Sequence, residues 1–182
     1  MKKTLLALSM LGTLAVASAP AGAQISENGP YYALPSWDQQ IPAATRFIVL
    51  TDWSSAAVLD RETGLVWQQA PATTTFLWVD AIFACREVLV GNRRSWRLPS
   101  YEELTSLLDA TQSNPALPAG NPFQGIGATD QFWTATLDES NQAAAYFVQI
   151  ASATTFQTAI MGSNLFRAWC VRTGSAVTNP PY

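Results

Sequence analysis

The sequence predicts an α+β fold in which two helices pack on antiparallel sheet and one disulfide closes the domain. Three observations predict it. Strand-like segments occupy both flanks of residues 46–173, and helical periodicity is confined to the middle. The chain holds two cysteines, one in the first helical segment and one in the last strand-like segment.

Residues 46–50 are rich in β-branched and apolar side chains and read as a strand. Residues 57–60 and 65–68 read as a hairpin around the turn 61–64. Thr73, Thr74 and Thr75 offer a helix N-cap, and Trp78, Ile82, Cys85 and Leu89 follow at helical spacing. A first helix is therefore expected over 76–89, with Cys85 on its inner face and Gly91-Asn92 ending it. Residues 95–99 form a short extended piece. Ser100 and Glu103 have the spacing of a capping box, in which each side chain satisfies the other's backbone N–H. Leu104, Leu107 and Leu108 give the stripe of a second helix ending near Ala110. A loop follows over 111–130, rich in proline and glycine. Strands are expected over 131–137, 144–150, 154–160 and 166–172, with a hairpin turn at 138–141.

The region before this domain has a different character. Met1-Lys2-Lys3 is a short basic start, and an apolar run covers residues 4–17. That run is about 14 residues long, short of the ~20 that span a bilayer. Ala21 and Ala23 stand at the −3 and −1 positions of a cut after Ala23, the layout of a secretory signal. Residues 1–23 are thus expected to be a signal peptide, with no membrane span after its removal. The product would be exported to periplasm, cell surface or medium. Residues 24–45 form an extended lead that carries Tyr31, Tyr32 and Trp37, and residues 174–182 a disordered tail.

Cleavage changes the charge. Lys2 and Lys3 are the chain's only lysines, so their loss moves the net charge from −3 to −5. The arginines cluster only at Arg93, Arg94 and Arg97. A nucleic-acid or sulfated-polysaccharide binder needs a basic face to displace counterions, so neither ligand is expected. There is no histidine, which removes the commonest general base and metal ligand. No catalytic residue, metal site or cofactor is expected.

In an exported chain, Cys85 and Cys170 read as a disulfide; two buried thiols are the alternative. There is no C-x-x-C spacing for a redox pair. Trp67, Trp78, Trp96, Trp133 and Trp169 lie on predicted strands or a helix stripe and read as core. Trp53 sits in a less regular segment and is a candidate exposed contact. Asp109, Asp130, Asp138 and Glu139 match no cation-binding loop and read as turn and cap residues. Loops as long as 111–130 inside a compact domain are uncommon and often functional. Asn121, Phe123, Gln124 and Asp130 are its candidate ligand contacts.

The ordered motifs now resemble a known family. They are Val58-Leu59-Asp60-Arg61-Glu62-Thr63-Gly64-Leu65-Val66-Trp67, Trp78 with Asp80-Ala81, and Cys85. Trp96-Arg97-Leu98-Pro99-Ser100 with Glu103-Leu104, Phe132-Trp133-Thr134-Ala135-Thr136 and Trp169-Cys170-Val171-Arg172 complete the set. This pattern resembles the Lcl C-terminal domain family, also called DUF1566, over roughly residues 46–173. The resemblance implies a C-type-lectin-like fold, in which a disulfide from the first helix to the last strand recurs. The family's named member is an adhesin that binds sulfated glycosaminoglycans through basic residues, a ligand that does not suit an acidic, lysine-free chain. The Glu-Pro-Asn, Gln-Pro-Asp and Trp-Asn-Asp triplets of calcium-dependent lectins are absent. The related formylglycine-generating enzymes need a reactive cysteine pair, which a disulfide would remove. Arg97, which stands with Asp60 and Glu62 among the motif residues, is expected to pin the extended piece by an ion pair or backbone hydrogen bonds.

The expected function is a non-enzymatic exported binding or adhesion module whose ligand is a neutral glycan or an envelope protein. The alternative is a structural subunit of the cell envelope, with homo-oligomers assembled through the aromatic lead.

Overall fold

The computed structural model of the protein describes residues 41–152 and 157–173. The expected signal peptide, most of the aromatic lead, the start of the strand over 154–160 and the tail lie outside these residues.

The chain enters through a one-turn helix, α1 (Ala43–Arg46), and continues into β1 (Phe47–Val49). The segment expected as one strand from residue 46 is split because Thr45 and Arg46 both donate backbone bonds to Pro42 O, which closes a helical turn. The hairpin forms as expected from β2 (Ala57–Asp60) and β3 (Leu65–Gln68). Asp60 shapes its turn by accepting from Glu62 N–H and the Thr63 hydroxyl, and Gly64 supplies the positive φ of 72°.

The first long helix, α2 (Trp78–Glu87), is shorter than expected at both ends. Thr75 and Phe76 form a two-residue strand, β4, instead of a cap, and the N-cap is Leu77 with no side-chain bond. Leu89 lies beyond the helix and is exposed, so the apolar stripe that included it ends at Cys85. The second helix, α3 (Tyr101–Thr105), has the full capping box of Ser100 and Glu103 but stops well before Ala110. The remaining strands are β5 (Gln131–Leu137), β6 (Ala144–Gln149), β7 (Gln157–Ile160), β8 (Phe166–Arg167) and β9 (Val171–Thr173).

Two sheets result. One has the order β1-β2-β3-β9, all antiparallel. The other has the order β4-β8-β5-β6-β7, with a single parallel pairing, Phe132 to Arg167, between β5 and β8. The final strand expected over 166–172 is thus two strands, one in each sheet. Ala168, Trp169 and Cys170 cross between them, all buried.

Consecutive residues of β2, β3 and β5 are buried because both faces of these strands are covered. Ala57, Val66 and Trp133 face one core with Ala81 and Cys85 of α2. Val58, Trp67 and Phe132 face a second core with Leu104, Leu107 and Trp169. Cys85 and Cys170 form a disulfide with Cα atoms 5.4 Å apart, tying α2 to the residue that leads into β9. The extended piece at 95–99 links the sheets. Arg97 exchanges two backbone bonds with Val171, and Pro99 O accepts from Ala135 N–H of β5.

Candidate functional site

Part of the expected contact loop packs on the domain. Leu117, Phe123 and Ile126 lie against the second core. Phe123 meets Trp169 edge-on at 4.9 Å and Phe47 at 5.1 Å. Asn121 folds its amide back on the loop, donating to Pro118 O and accepting from Phe123 N–H. Asp130 accepts from Gly127 N–H and pairs with Arg167. The same guanidinium donates to Ala72 O and Gly125 O, so one buried arginine fastens both ends of the loop's last turn to the domain. Gln124 differs: its side chain is exposed, while its N–H donates to Gln69 O.

Trp53 is half-buried in a 3-10 turn (Thr51–Trp53). It meets Trp96 edge-on at 6.4 Å, and the guanidinium groups of Arg93 and Arg172 lie over its ring at 5.4 and 5.1 Å. Burial, and then the nearby charge of Arg93, lowers the Arg172 pKa. None of the five candidate contacts lines the groove described below. Of the aromatic set expected in the core, Trp67, Trp96, Trp133 and Trp169 are buried, and Trp78 is half-buried with its indole N–H donated to Thr134 O.

The ion pairs hold the frame. Arg46 is buried and grips Asp60 through two bonds of 2.8 Å, with Glu62 at 2.6 Å. Burial works against its charge, but the hydrogen bonds and charges of Asp60 and Glu62 outweigh it and raise its pKa. Arg97 pairs with Glu103 and not with Asp60 or Glu62, which Arg46 occupies. Burial alone would raise Glu103, yet the Arg97 and Ser100 hydrogen bonds hold its carboxyl below the ordinary range. Asp109 and Asp138 each accept the hydroxyl and the N–H of the residue two positions on, which lowers both. These are the turn roles expected of them.

A concave surface lies around the β5–β6 turn. A groove of about 480 Å³ runs over the second sheet beside β7. Gln131, Asn141, Thr158 and Asn164 supply its polar lining, and the buried Phe147 and Phe166 lie beneath it, with ring centroids 4.4 Å apart and planes inclined at 35°. No charged side chain lines it. These residues come from β5, β6, β7, β8, a turn and a loop, so no local spacing in the sequence marks them. Among the described residues, no three His, Cys, Asp or Glu side chains group to hold a metal ion. No helix among them is long and apolar enough to cross a membrane.

Comparison with curated proteins and with solved structures found no match. The profile of the Lcl C-terminal domain matches residues 56–172, from the start of the β2–β3 hairpin to β9, a span that includes both disulfide cysteines and the capping box. The chain belongs to the Lcl C-terminal domain family.

Proposed function

We propose that the chain is an exported, non-enzymatic binding module of C-type-lectin-like architecture whose ligand is a neutral glycan. One observation carries this reading: the uncharged groove lined by Gln131, Asn141, Thr158 and Asn164 over the buried Phe147–Phe166 pair. Amides and hydroxyls both donate and accept, which suits sugar hydroxyls. The disulfide favours an oxidising compartment. The lack of histidine weighs against ordinary acid–base chemistry. Gln124, exposed on the 111–130 loop, is a second contact to test.

A neutral-glycan array probed with the chain lacking residues 1–23 tests the reading. The expected result is saturable binding that Gln131→Ala and Asn164→Ala each weaken. Binding untouched by both substitutions would remove the groove from the site.

A structural subunit is the second reading, and one observation favours it. Val79 and Phe83 lie one helical turn apart on α2 and are half exposed, at 50% and 54%. Light scattering with and without residues 24–45 separates the readings: assembly predicts a multimer that depends on the aromatic lead.

A further inference from the structure

The uncharged groove holds an apolar pair beside two asparagines. Ala144 of β6 and Ile160 of β7 are cross-strand partners, and both line it. Ala144 is buried, whereas Ile160 is 44% exposed. A large apolar side chain thus lies open in a groove whose polar lining is amides and one hydroxyl.

Backbone hydrogen bonds tie one asparagine to each member of this pair. The Ala144 N–H donates to Asn141 O at 2.8 Å, and the Asn164 N–H donates to Ile160 O at 3.1 Å. The asparagine side chains are oriented by bonds of their own. Asn141 Oδ1 accepts the Ala143 N–H at 3.1 Å, and Asn164 Oδ1 accepts the Ser163 hydroxyl more weakly, at 3.4 Å. Each amide oxygen is engaged locally, so each side-chain NH2 is left as a donor among the described residues. Gln131 is half-buried and adds a third amide, whose side chain no described residue bonds.

We infer that the groove is specific for a sugar carrying an acetamido group. The inference rests on the glycan reading and narrows it. An acetamido group joins a methyl to a carbonyl that accepts two hydrogen bonds and an N–H that donates one. The Ala144–Ile160 pair suits the methyl, the asparagine NH2 groups suit the carbonyl, and the Gln131 side-chain oxygen suits the N–H. A plain hexose brings no methyl to Ile160. A 6-deoxyhexose brings a methyl without the amide. A uronic acid or a free amino sugar brings a charge for which the described lining holds no counter-charge.

The probes are the methyl glycosides of N-acetylglucosamine and N-acetylgalactosamine, each set against its parent hexoside and against a methyl fucoside. They are titrated into the chain lacking residues 1–23 and followed by amide chemical shifts. The expected result is saturable binding of an acetamido glycoside, with shifts centred on Asn141, Ile160 and Asn164, and about tenfold weaker binding of its parent. Asn141→Asp keeps the oxygen that accepts the Ala143 N–H and removes the NH2, and Ile160→Ser removes the apolar contact. Each should cut the preference for the acetamido sugar to about threefold. A general fold defect would weaken all the sugars alike and leave that ratio in place, so a ratio unmoved by both variants would overturn the assignment. Equal affinity for the parent hexoside or for the fucoside would also overturn it, while leaving the glycan reading intact. No saturation with any probe would overturn it alone if the array shows another neutral glycan bound to the groove, and would overturn both readings if the array shows none.

Discussion

Arg97 and Glu103 form a two-pronged ion pair at 2.6 and 2.7 Å, and the same carboxylate accepts the Ser100 N–H at 2.8 Å. One acidic group thus caps α3 and anchors the extended piece that pairs with β9. Glu103→Gln should cost about 1 kcal/mol of stability, the loss of a partly screened pair, because the amide oxygen can still accept the Ser100 N–H. Urea unfolding measures it. Ser100→Ala should cost about 1 kcal/mol, and a Ser100→Ala, Glu103→Ala double variant less than the sum of its single changes, because both remove one box.

That carboxyl also sets a pH dependence. Its folded pKa lies below its ordinary value of 4.5, so the folded state binds fewer protons than the unfolded chain as pH falls. The stabilisation is complete above the ordinary value and disappears as pH falls through the depressed folded value. The stability gap between the native chain and Glu103→Gln should therefore be widest near neutral pH and close in acid. A gap that stays constant in urea titrations at both extremes would show that Glu103 does not report this linkage.

Gly91 marks a close approach. Its φ is +57°, and a Cβ placed there would lie 2.5 Å from the Trp53 Cβ. Gly91→Ala should destabilise by about 1–3 kcal/mol through strain and overpacking. A shift in tryptophan emission should accompany it, since Trp53 must move. An unchanged melting curve would mean that the 90–93 turn tolerates displacement.

Arg167 is buried and pairs with Asp130 while it holds the carbonyls of Ala72 and Gly125. Arg167→Met keeps the bulk but leaves a partly buried carboxylate and two carbonyls without this donor. A loss of about 3 kcal/mol is expected, at the low end for a broken buried pair because Asp130 retains some exposure. Hydrogen exchange should accelerate first at the amides of Gln124 and Asp130, whose bonds close the loop.

Reduction of Cys85–Cys170 opens a loop of 85 positions. The chain-entropy estimate puts the loss at up to ~4–5 kcal/mol. Urea midpoints of the native chain and the Cys85→Ala, Cys170→Ala variant measure it.

The sequence made local features legible. Ser100 and Glu103 sit within one turn of each other, so their reciprocal bonds follow from spacing. The β2–β3 hairpin was readable for the same reason, with Asp60 and Gly64 closing it. Features that depend on distant chain were not readable. Residues 166–172 look like one strand, because apolar content does not reveal that Phe166 and Val171 pair with different sheets. The 111–130 loop has the composition of an exposed contact, yet Phe123 is drawn onto Trp169, a partner 46 positions away. Arg97 takes Glu103 because Arg46, from outside the motif, already holds Asp60 and Glu62. The groove follows no sequence period, since it gathers residues from separate elements around one turn.

The crossing of Ala168, Trp169 and Cys170 between the sheets has a consequence for the order in which the domain forms. β9 completes one sheet and β8 joins β4 to β5 in the other, so neither sheet is whole until residues 166–173 arrive. Pairing of such widely separated segments is slow to assemble. A ribosome-bound chain ending before residue 166 should therefore remain open to protease throughout. Protection should then appear in both sheets together, in a single step, once Val171 can reach Arg97 and Trp67.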